Sequence, residues 1–369
     1  MTKKEKKLNL SITNEKVFDL VKMFIAILIA LAITFVILCL VSSDPVNAFK
    51  TILTGPLTKT RYIGMVFERT VPYAFAGLAC GLLFKSGSFN LGSEGIFIIS
   101  GVAISFVACN PVTSSPILHP ILCFVVAGLC GGLLMMIPAF LKSKFGTNEM
   151  VLSLMLNSLY GAFAAYLVRT YLLTKTTSTL GTRDFLETAL INGYVFKPLR
   201  ISACFVLLVV VTILLHIMLN KTRIGYQIKL SGTNPKFANY SGIDAFKLSL
   251  ITALIDGMLA GFGSASQLLT QASFFLPEQT VTGIGFTGCL LAMLGKNNPI
   301  PTALAAFFIQ YLEQGTRVLY YTDTSVPSEI VAIVEGVMVM LISSQHFLRK
   351  FREKQLLKEG LAIERDRRK

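Results

Sequence analysis

The sequence predicts an all-α membrane protein, a polytopic bundle of about ten transmembrane helices. Of the 369 residues, 53% are hydrophobic and only 15% are charged, and the mean hydropathy is +0.65. A soluble globular protein of this length would be much less apolar. The apolar residues also gather into runs, most of which are long enough to cross about 30 Å of hydrocarbon, with polar loops between them.

The predicted spans alternate in direction along the chain. The first, at 23–41, follows a lysine-rich segment at 1–22, which the positive-inside rule places in the cytoplasm. An outer loop at 44–64 contains two prolines and has room for a short surface helix. The remaining spans are predicted at 65–84, 95–109, 117–141, 151–173, 201–219, 246–269, 280–295, 302–320 and 328–342.

The distribution of basic residues supports this orientation. The topology places 24 of the 34 Lys and Arg residues on the cytoplasmic side, seven outside, and three in or near spans. Both termini are then cytoplasmic, with a transmembrane domain at 23–345 and a basic tail at 346–369. The formal charge of +14 therefore indicates membrane orientation, and we expect a lipid bilayer and no nucleic acid as partner.

The sequence offers no pattern typical of a cofactor, a metal site or a catalytic centre. The seven cysteines lie in or beside apolar runs without CxxC spacing and are interpreted as small buried hydrophobes. The chain has no GxxxxGK[ST] phosphate loop, and the GxGxxG match at 283–288 follows no strand. We expect no cofactor, no metal and no enzymatic activity of the chain itself.

The stretch at 71–101 places polar residues where an uninterrupted span would be apolar. Lys85, Asn90 and Glu94 lie between two apolar arms, and Gly92 and Gly95 add backbone freedom. Non-helical backbone at membrane depth survives only against protein or a water-filled path. The segment at 89–95 is therefore either part of such a path or a tight loop at the membrane surface.

The longest internal loop is predicted at 221–247 and contains the signals of a short helix. Asn234 can cap it, Pro235 suits its first position and Gly242 can end it, so a two-turn helix is predicted at 235–241. A helix of this length needs a partner surface for its stability. The alternative is a solvated basic connector.

Acidic residues inside the predicted spans leave a second class of function open. Asp256 and Glu335 could carry protons, as in an ion-coupled secondary transporter. Glu313 and Arg317 are four residues apart and could neutralise each other.

Four stretches of the chain carry a family resemblance: 84–95 (FKSGSFNLGSEG), 146–157 (GTNEMVLSLMLN), 232–243 (GTNPKFANYSGI) and 283–299 (GIGFTGCLLAMLGKNNP). Together they resemble the permease subunits of bacterial ABC importers in the branched-chain amino acid and simple-sugar permease superfamily. Within it, the chain most resembles nucleoside-uptake permeases that work with a basic-membrane-protein type lipoprotein receptor.

The resemblance implies two pseudo-symmetric halves, a bacterial plasma-membrane location and several partners. These partners are a cytosolic ABC ATPase that hydrolyses the ATP, a second homologous permease forming a heterodimer, and an external substrate-binding lipoprotein. The implied cargo is a nucleoside, with a simple sugar as the alternative.

The resemblance also implies two sets of functional residues. The expected substrate-path residues are Phe89, Asn90, Glu94, Asn148, Glu149, Asn157 and Phe286. The expected ATPase-coupling residues are Gly232, Asn234, Pro235, Lys236, Ala238, Tyr240 and Gly242.

Overall fold

The computed structural model describes residues 31–39, 44–173, 181–191, 194–196, 201–277, 283–322 and 336. The N-terminal segment at 1–22, the basic tail, Glu335 and nearly all of the span predicted at 328–342 lie outside these residues.

The described residues are predominantly helical. Residues 31–39 are helical, and α5 continues into a π-helical stretch, Val168–Leu172. The two short strands, β1 (Tyr194–Phe196) and β2 (Ile201–Ser202), pair antiparallel. The helices are α1 (Pro45–Thr58), α2 (Thr60–Lys85), α3 (Ser93–Ala108), α4 (Leu118–Phe145), α5 (Glu149–Leu167), α6 (Ala203–Lys221), α7 (Arg223–Thr233), α8 (Pro235–Tyr240), α9 (Ala245–Gln271), α10 (Ile284–Leu294) and α11 (Pro299–Thr322).

Within the described part of the chain, four helical segments are long and apolar enough to cross a membrane. They are Leu118–Phe145, Glu149–Leu172, Ala203–Lys221 and Ala245–Gln271, and each coincides with a predicted span. The predominantly helical fold is therefore confirmed, with four helices whose length and composition suit a membrane span.

Two predicted spans are shorter in the structure than a full crossing. α3 has 16 residues and α10 has 11. At 1.5 Å per residue, α10 extends about 16 Å, which is roughly half of the hydrocarbon thickness. A glycine directly precedes each helix, Gly92 before α3 and Gly283 before α10.

Three predicted loops contain more regular structure than the sequence indicated. The segment at 221–247 holds two helices, α7 and α8, of which only α8 was predicted. The outer loop at 44–64 is mostly helical, since α1 occupies 14 of its residues. The polar stretch before α6 contains the paired strands.

The helix α9 packs against α2, α3 and α4. Small residues permit these contacts: a Cβ added to Gly128 would lie 2.6 Å from the Phe262 ring, and one added to Gly132 would lie 2.9 Å from Leu254. The Ser264 hydroxyl also donates to the Phe97 carbonyl at 2.8 Å. The small residues therefore let these helices approach closely.

The chain divides into two compact units. Residues 56–314 form the larger unit and contain all the predicted site residues. The smaller unit combines 1–55 with 315–369, and its described part includes a cluster of Leu38, Ala48, Ile52 and Leu319.

Candidate functional site

Two helices of the larger unit begin at a glycine that offers no capping side chain. Gly92 precedes α3 and Gly283 precedes α10. By contrast, α5, α7, α8 and α9 begin with capping side chains, which belong to Asn148, Thr222, Asn234 and Asp244. The first N–H groups of α3 and α10 therefore need partners from elsewhere in the fold.

The start of α3 is held by α5. Asn157 Oδ1 accepts from the Gly95 N–H at 2.9 Å, and its amide nitrogen donates to the Leu91 carbonyl at 2.8 Å. Ser153 Oγ accepts from the Leu91 N–H at 3.1 Å. A Cβ added to Gly95 would lie 2.7 Å from Asn157 Oδ1, so only glycine permits this contact without a shift.

The loop between α2 and α3, residues 86–92, is also held by a charged group. Asn90, which is fully buried, accepts from the Gly92 N–H at 2.6 Å and donates to Glu149 Oε1 at 3.2 Å. Lys142 Nζ donates to the other carboxylate oxygen of Glu149 at 2.6 Å and to Ser88 Oγ at 2.8 Å. The 86–92 loop is thus tied to α4 and α5 by charge-assisted hydrogen bonds.

The start of α10 lies against the start of α3. The Gly283 N–H donates to Glu94 Oε1 at 2.9 Å, so a carboxylate from the first turn of α3 satisfies the N-terminus of α10. A negative group there also interacts favourably with the helix dipole. The segment at 89–95 and the GxGxxG match at 283–288 are therefore in contact.

A buried pair of thiols lies beside this junction. The Cys289 thiol of α10 donates to the Cys80 sulfur of α2 at 3.1 Å, and Cys80 Sγ lies 3.6 Å from Ser93 Oγ. Both cysteines are buried, as the sequence predicted. Their proximity was not foreseen because they are 209 residues apart.

The remaining predicted path residues are more exposed. Phe89 is 46% exposed and stacks on Phe84 with the ring centroids 4.9 Å apart, and Phe286 is 60% exposed. Asn148 is exposed and caps α5 by accepting from the Met150 N–H at 3.1 Å. Their role in a path stays a prediction.

The short helix predicted in the internal loop is confirmed as α8, within one residue. Asn234 Oδ1 accepts from the Phe237 N–H at 3.0 Å, and Gly242 has a φ of +77°. Ala238 is buried, whereas Tyr240 is 90% exposed. Pro235 and Lys236 are exposed in the first turn, and Gly232 precedes the helix in α7, half-buried against the end of α2.

Comparison with known proteins identifies the family. A family model described as branched-chain amino acid transport system / permease component matches residues 62–343. The chain belongs to this permease family. It is therefore a multi-pass membrane protein and a transport component rather than an enzyme.

The permease is similar along most of its length to several curated ABC transporter permeases. It is 28% identical to the glucose ABC transporter permease protein of Haloferax volcanii over 89% of this chain and 88% of that one. It is 25% identical to the guanosine ABC transporter permease protein of Bacillus subtilis over 88% and 93%, respectively. It is 24% identical to a nucleoside ABC transporter permease protein of Lactococcus lactis over 89% and 92%.

Among solved structures, the permease matches an inward-facing conformation of an ABC transporter described as of metal-chelate type. The TM-score is 0.46 at 14% identity, covering 88% of this chain and 98% of that one. A TM-score this low establishes no shared fold.

Sequence reasoning missed three residues of the permease that hold the 86–92 loop: Ser88, Lys142 and Ser153. The sequence indicates for Lys142 only a place among the cytoplasmic basic residues. Its position seven residues before Glu149 gave no signal, because the two lie on different helices and meet only where the chain turns at 146–148.

Proposed function

We propose that this permease is the membrane subunit of an ATP-driven importer and forms half of a translocation path for nucleosides. The observation that carries the proposal is the family match over 62–343. Its relatives along nearly the whole chain are named ABC transporter permeases, and two of them are named for guanosine or nucleosides.

The proposed assembly places a cytosolic ABC ATPase against the segment at 221–247 and a second homologous permease beside this one. An external lipoprotein delivers the cargo. The chain lies in the bacterial plasma membrane with about ten spans in two pseudo-symmetric halves and both termini in the cytoplasm. The exposure of Lys236 and Tyr240 on a helix too short to be stable alone supports α8 as the ATPase contact.

The proposed path passes the paired starts of α3 and α10. Helices that begin inside the membrane next to one another are typical of substrate sites in other transporters. The charge and hydrogen-bonding groups of Glu94, Asn90 and Asn157 are gathered on the α3 side of this junction. Phe286 is exposed on the α10 side and Phe89 on the 86–92 loop.

The exposed aromatic rings favour a nucleoside over a sugar as cargo. A ring face of Phe89 or Phe286 could stack on a nucleobase, and such stacking is worth about 1–3 kcal/mol per base in nucleic-acid complexes. A simple sugar remains the alternative, because the glucose permease of Haloferax volcanii is 28% identical.

The test is transport by the intact complex purified from its native membrane and reconstituted in liposomes. We expect accumulation of radiolabelled guanosine or adenosine that requires ATP and is unaffected by ionophores. Uptake of glucose without uptake of any nucleoside would show that the cargo is a simple sugar. Uptake that proceeds without ATP and collapses with ionophores would overturn the importer assignment.

Ion-coupled transport is a second candidate because of one residue, Asp256. It is fully buried in α9, and among the described residues neither of its carboxylate oxygens has a hydrogen-bond partner. An ionisable group inside a membrane is a candidate for proton transfer. If transport is ion-coupled, Asp256→Asn abolishes gradient-driven uptake. If the chain is part of an ATP-driven importer, ATP-dependent uptake needs no proton gradient in the wild-type chain or in Asp256→Asn.

A further inference from the structure

We propose that Lys85 is a positioning residue that mechanically links α7 to both glycine-started helices, α3 and α10. The inference rests on the proposed function, because it concerns how movement of the internal segment reaches the path. It goes beyond that function by assigning the connection to one residue at the end of α2.

The first half of the link is a direct contact between two backbones. A Cβ added to Gly232 of α7 would clash with the Lys85 carbonyl oxygen and would lie 3.0 Å from the Gly87 nitrogen. From the other side, a Cβ on Gly87 would lie 3.1 Å from the Gly232 Cα. No side chain lies between the two backbones at this contact. A displacement of α7 therefore moves the backbone of Lys85 and Gly87 directly, because no rotamer change can take it up.

The conformation of Gly87 fixes the shape of the 86–92 loop at this contact. Its φ is +79°, in the left-handed region that favours glycine. Four residues further on, the Leu91 backbone is held by Ser153 and Asn157 of α5. The loop is therefore short and anchored at its far end, which leads directly into α3.

The second half of the link is the Lys85 side chain. Its Nζ donates to Asn298 Oδ1 at 2.6 Å. Asn298 closes the turn between α10 and α11, in which Lys296 and Asn297 both have positive φ values of 52° and 57°. Non-glycine residues adopt this conformation only when their surroundings impose it, so the turn is tightly determined.

The turn also packs on α2. A Cβ on Gly81 would lie 3.6 Å from the Asn297 Cα, and the Asn297 N–H donates to the Ala292 carbonyl of α10 at 2.7 Å. Lys85 therefore contacts α7 through its main chain and the end of α10 through its side chain. Movement of α7 would displace the approach to α3 and the end of α10 together.

A second lysine does not compete for the same partner. Lys229 of α7 lies close enough for its charge to act on Lys85, but its Nζ donates to Asn220 Oδ1 at 2.6 Å. The two ammonium groups therefore bind different partners, Asn298 and Asn220.

The experiment measures the number of cargo molecules imported per ATP hydrolysed. The complex with its ATPase and binding protein is purified from the native membrane through a tag on this chain and reconstituted. The variants are Lys85→Met, which keeps the stem and removes the donor, Asn298→Ala, their combination, and Lys85→Arg. The matched control is Lys144→Met, at an exposed lysine at the end of α4.

We expect Lys85→Met and Asn298→Ala each to lower the ratio about fivefold while ATPase co-purification and basal hydrolysis stay unchanged. The combination is expected to be no worse than either single variant, since both remove one interaction. Lys85→Arg is expected to retain most of the wild-type ratio, and Lys144→Met all of it.

An unchanged ratio in Lys85→Met, or additive losses in the double variant, would overturn the link. If Lys85→Met does not reach the membrane, the ratio measured for Asn298→Ala decides in the same way. Failure of the proposed function is a different result, since the wild-type chain would then recover no ATPase and show no ATP-dependent uptake.

The backbone half of the link is tested with Gly232→Ala. The added methyl must displace the Lys85 carbonyl, so a fall in the ratio is expected. Gly161→Ala is the matched control, because a Cβ there meets nothing within 4 Å. A wild-type ratio in Gly232→Ala would show that the contact transmits nothing.

Discussion

The starts of α3 and α10 are alike in sequence but differ in how they are held. Each follows a glycine and lacks a side-chain cap of its own. The backbone N–H groups at the α3 start donate hydrogen bonds to the side chains of Asn90, Ser153 and Asn157, whereas among the described residues the Gly283 N–H donates to Glu94.

This difference indicates which helix start keeps its contacts with its neighbours and which can shift relative to them. Breaking up the α3 start would leave several buried backbone groups unpaired, and each such group costs about 1–3 kcal/mol. Separating the α10 start from α3 breaks one hydrogen bond to the half-buried Glu94 carboxylate and the packing of Gly285 against the Glu94 backbone. We therefore expect the α3 start to keep its contacts and move as one body with α5, and the α10 start to shift relative to it during transport.

The largest effect is expected for Asn157→Ala. It leaves the Gly95 N–H and the Leu91 carbonyl without their partner, so the free energy of unfolding should fall by about 2–4 kcal/mol. Reversible unfolding in mixed micelles measures this loss, and ATP-dependent uptake should fall with it. Ser158→Ala, at the exposed neighbouring position, is the control; equal stability of the two variants would refute a fixed α3 start.

A smaller effect is expected when the ion pair that holds the 86–92 loop is broken. A double-mutant cycle with Glu149→Gln and Lys142→Met should give a coupling energy of about 1 kcal/mol, because Glu149 is buried while Lys142 is partly exposed. The exposed pair Asp244–Lys247 provides the comparison and should show less. Equal coupling energies would mean that burial of Glu149 adds nothing.

Glu94→Ala should separate stability from transport. We expect the free energy of unfolding to change by no more than about 1 kcal/mol, since the removed bond is a single one at a half-buried position. Uptake should nevertheless fall several-fold, because the start of α10 loses its hydrogen bond to α3. Glu94→Gln should be milder, since it retains an acceptor oxygen. Destabilisation as large as that of Asn157→Ala would remove the contrast between the two helix starts.

The smallest effect is expected at a helix start that has its own cap. The Lys247 N–H donates to Asp244 Oδ1 at 3.1 Å and holds the pKa of this carboxyl below its usual value. The stabilisation of the α9 start is complete above the unfolded-state pKa and is lost as the pH falls through the lower folded-state pKa.

Hydrogen exchange of the first amides of α9 measures this pH dependence. Protection should fall at acid pH in the wild-type chain and should vary little in Asp244→Asn, which can still cap the helix. The same acid dependence in both forms would exclude Asp244 as its source.

Local signals explain which parts of the fold could be predicted. The apolar runs of α4, α6 and α9 specify membrane helices because a helix can cross the hydrocarbon wherever enough apolar residues follow one another in the chain. The cap and breaker around α8 also act within one or two turns, so Asn234, Pro235 and Gly242 were sufficient. α7 was missed because its mixed polar sequence carries no apolar run, and its stability comes from packing on α6, α8 and α9.

The sequence by itself determined a membrane protein of many spans with a polar, glycine-containing break at 89–95, and four short stretches carry its resemblance to the permease family. Only the tertiary structure decided that the segments at 89–95 and 283–288 touch through Glu94 and Gly283, that Lys142 and Glu149 hold the 86–92 loop, and that Lys85 meets both Gly232 and Asn298. The physical reason is separation along the chain: Lys85 and Asn298 are 213 residues apart, and no local pattern specifies a contact that forms only when distant helices pack.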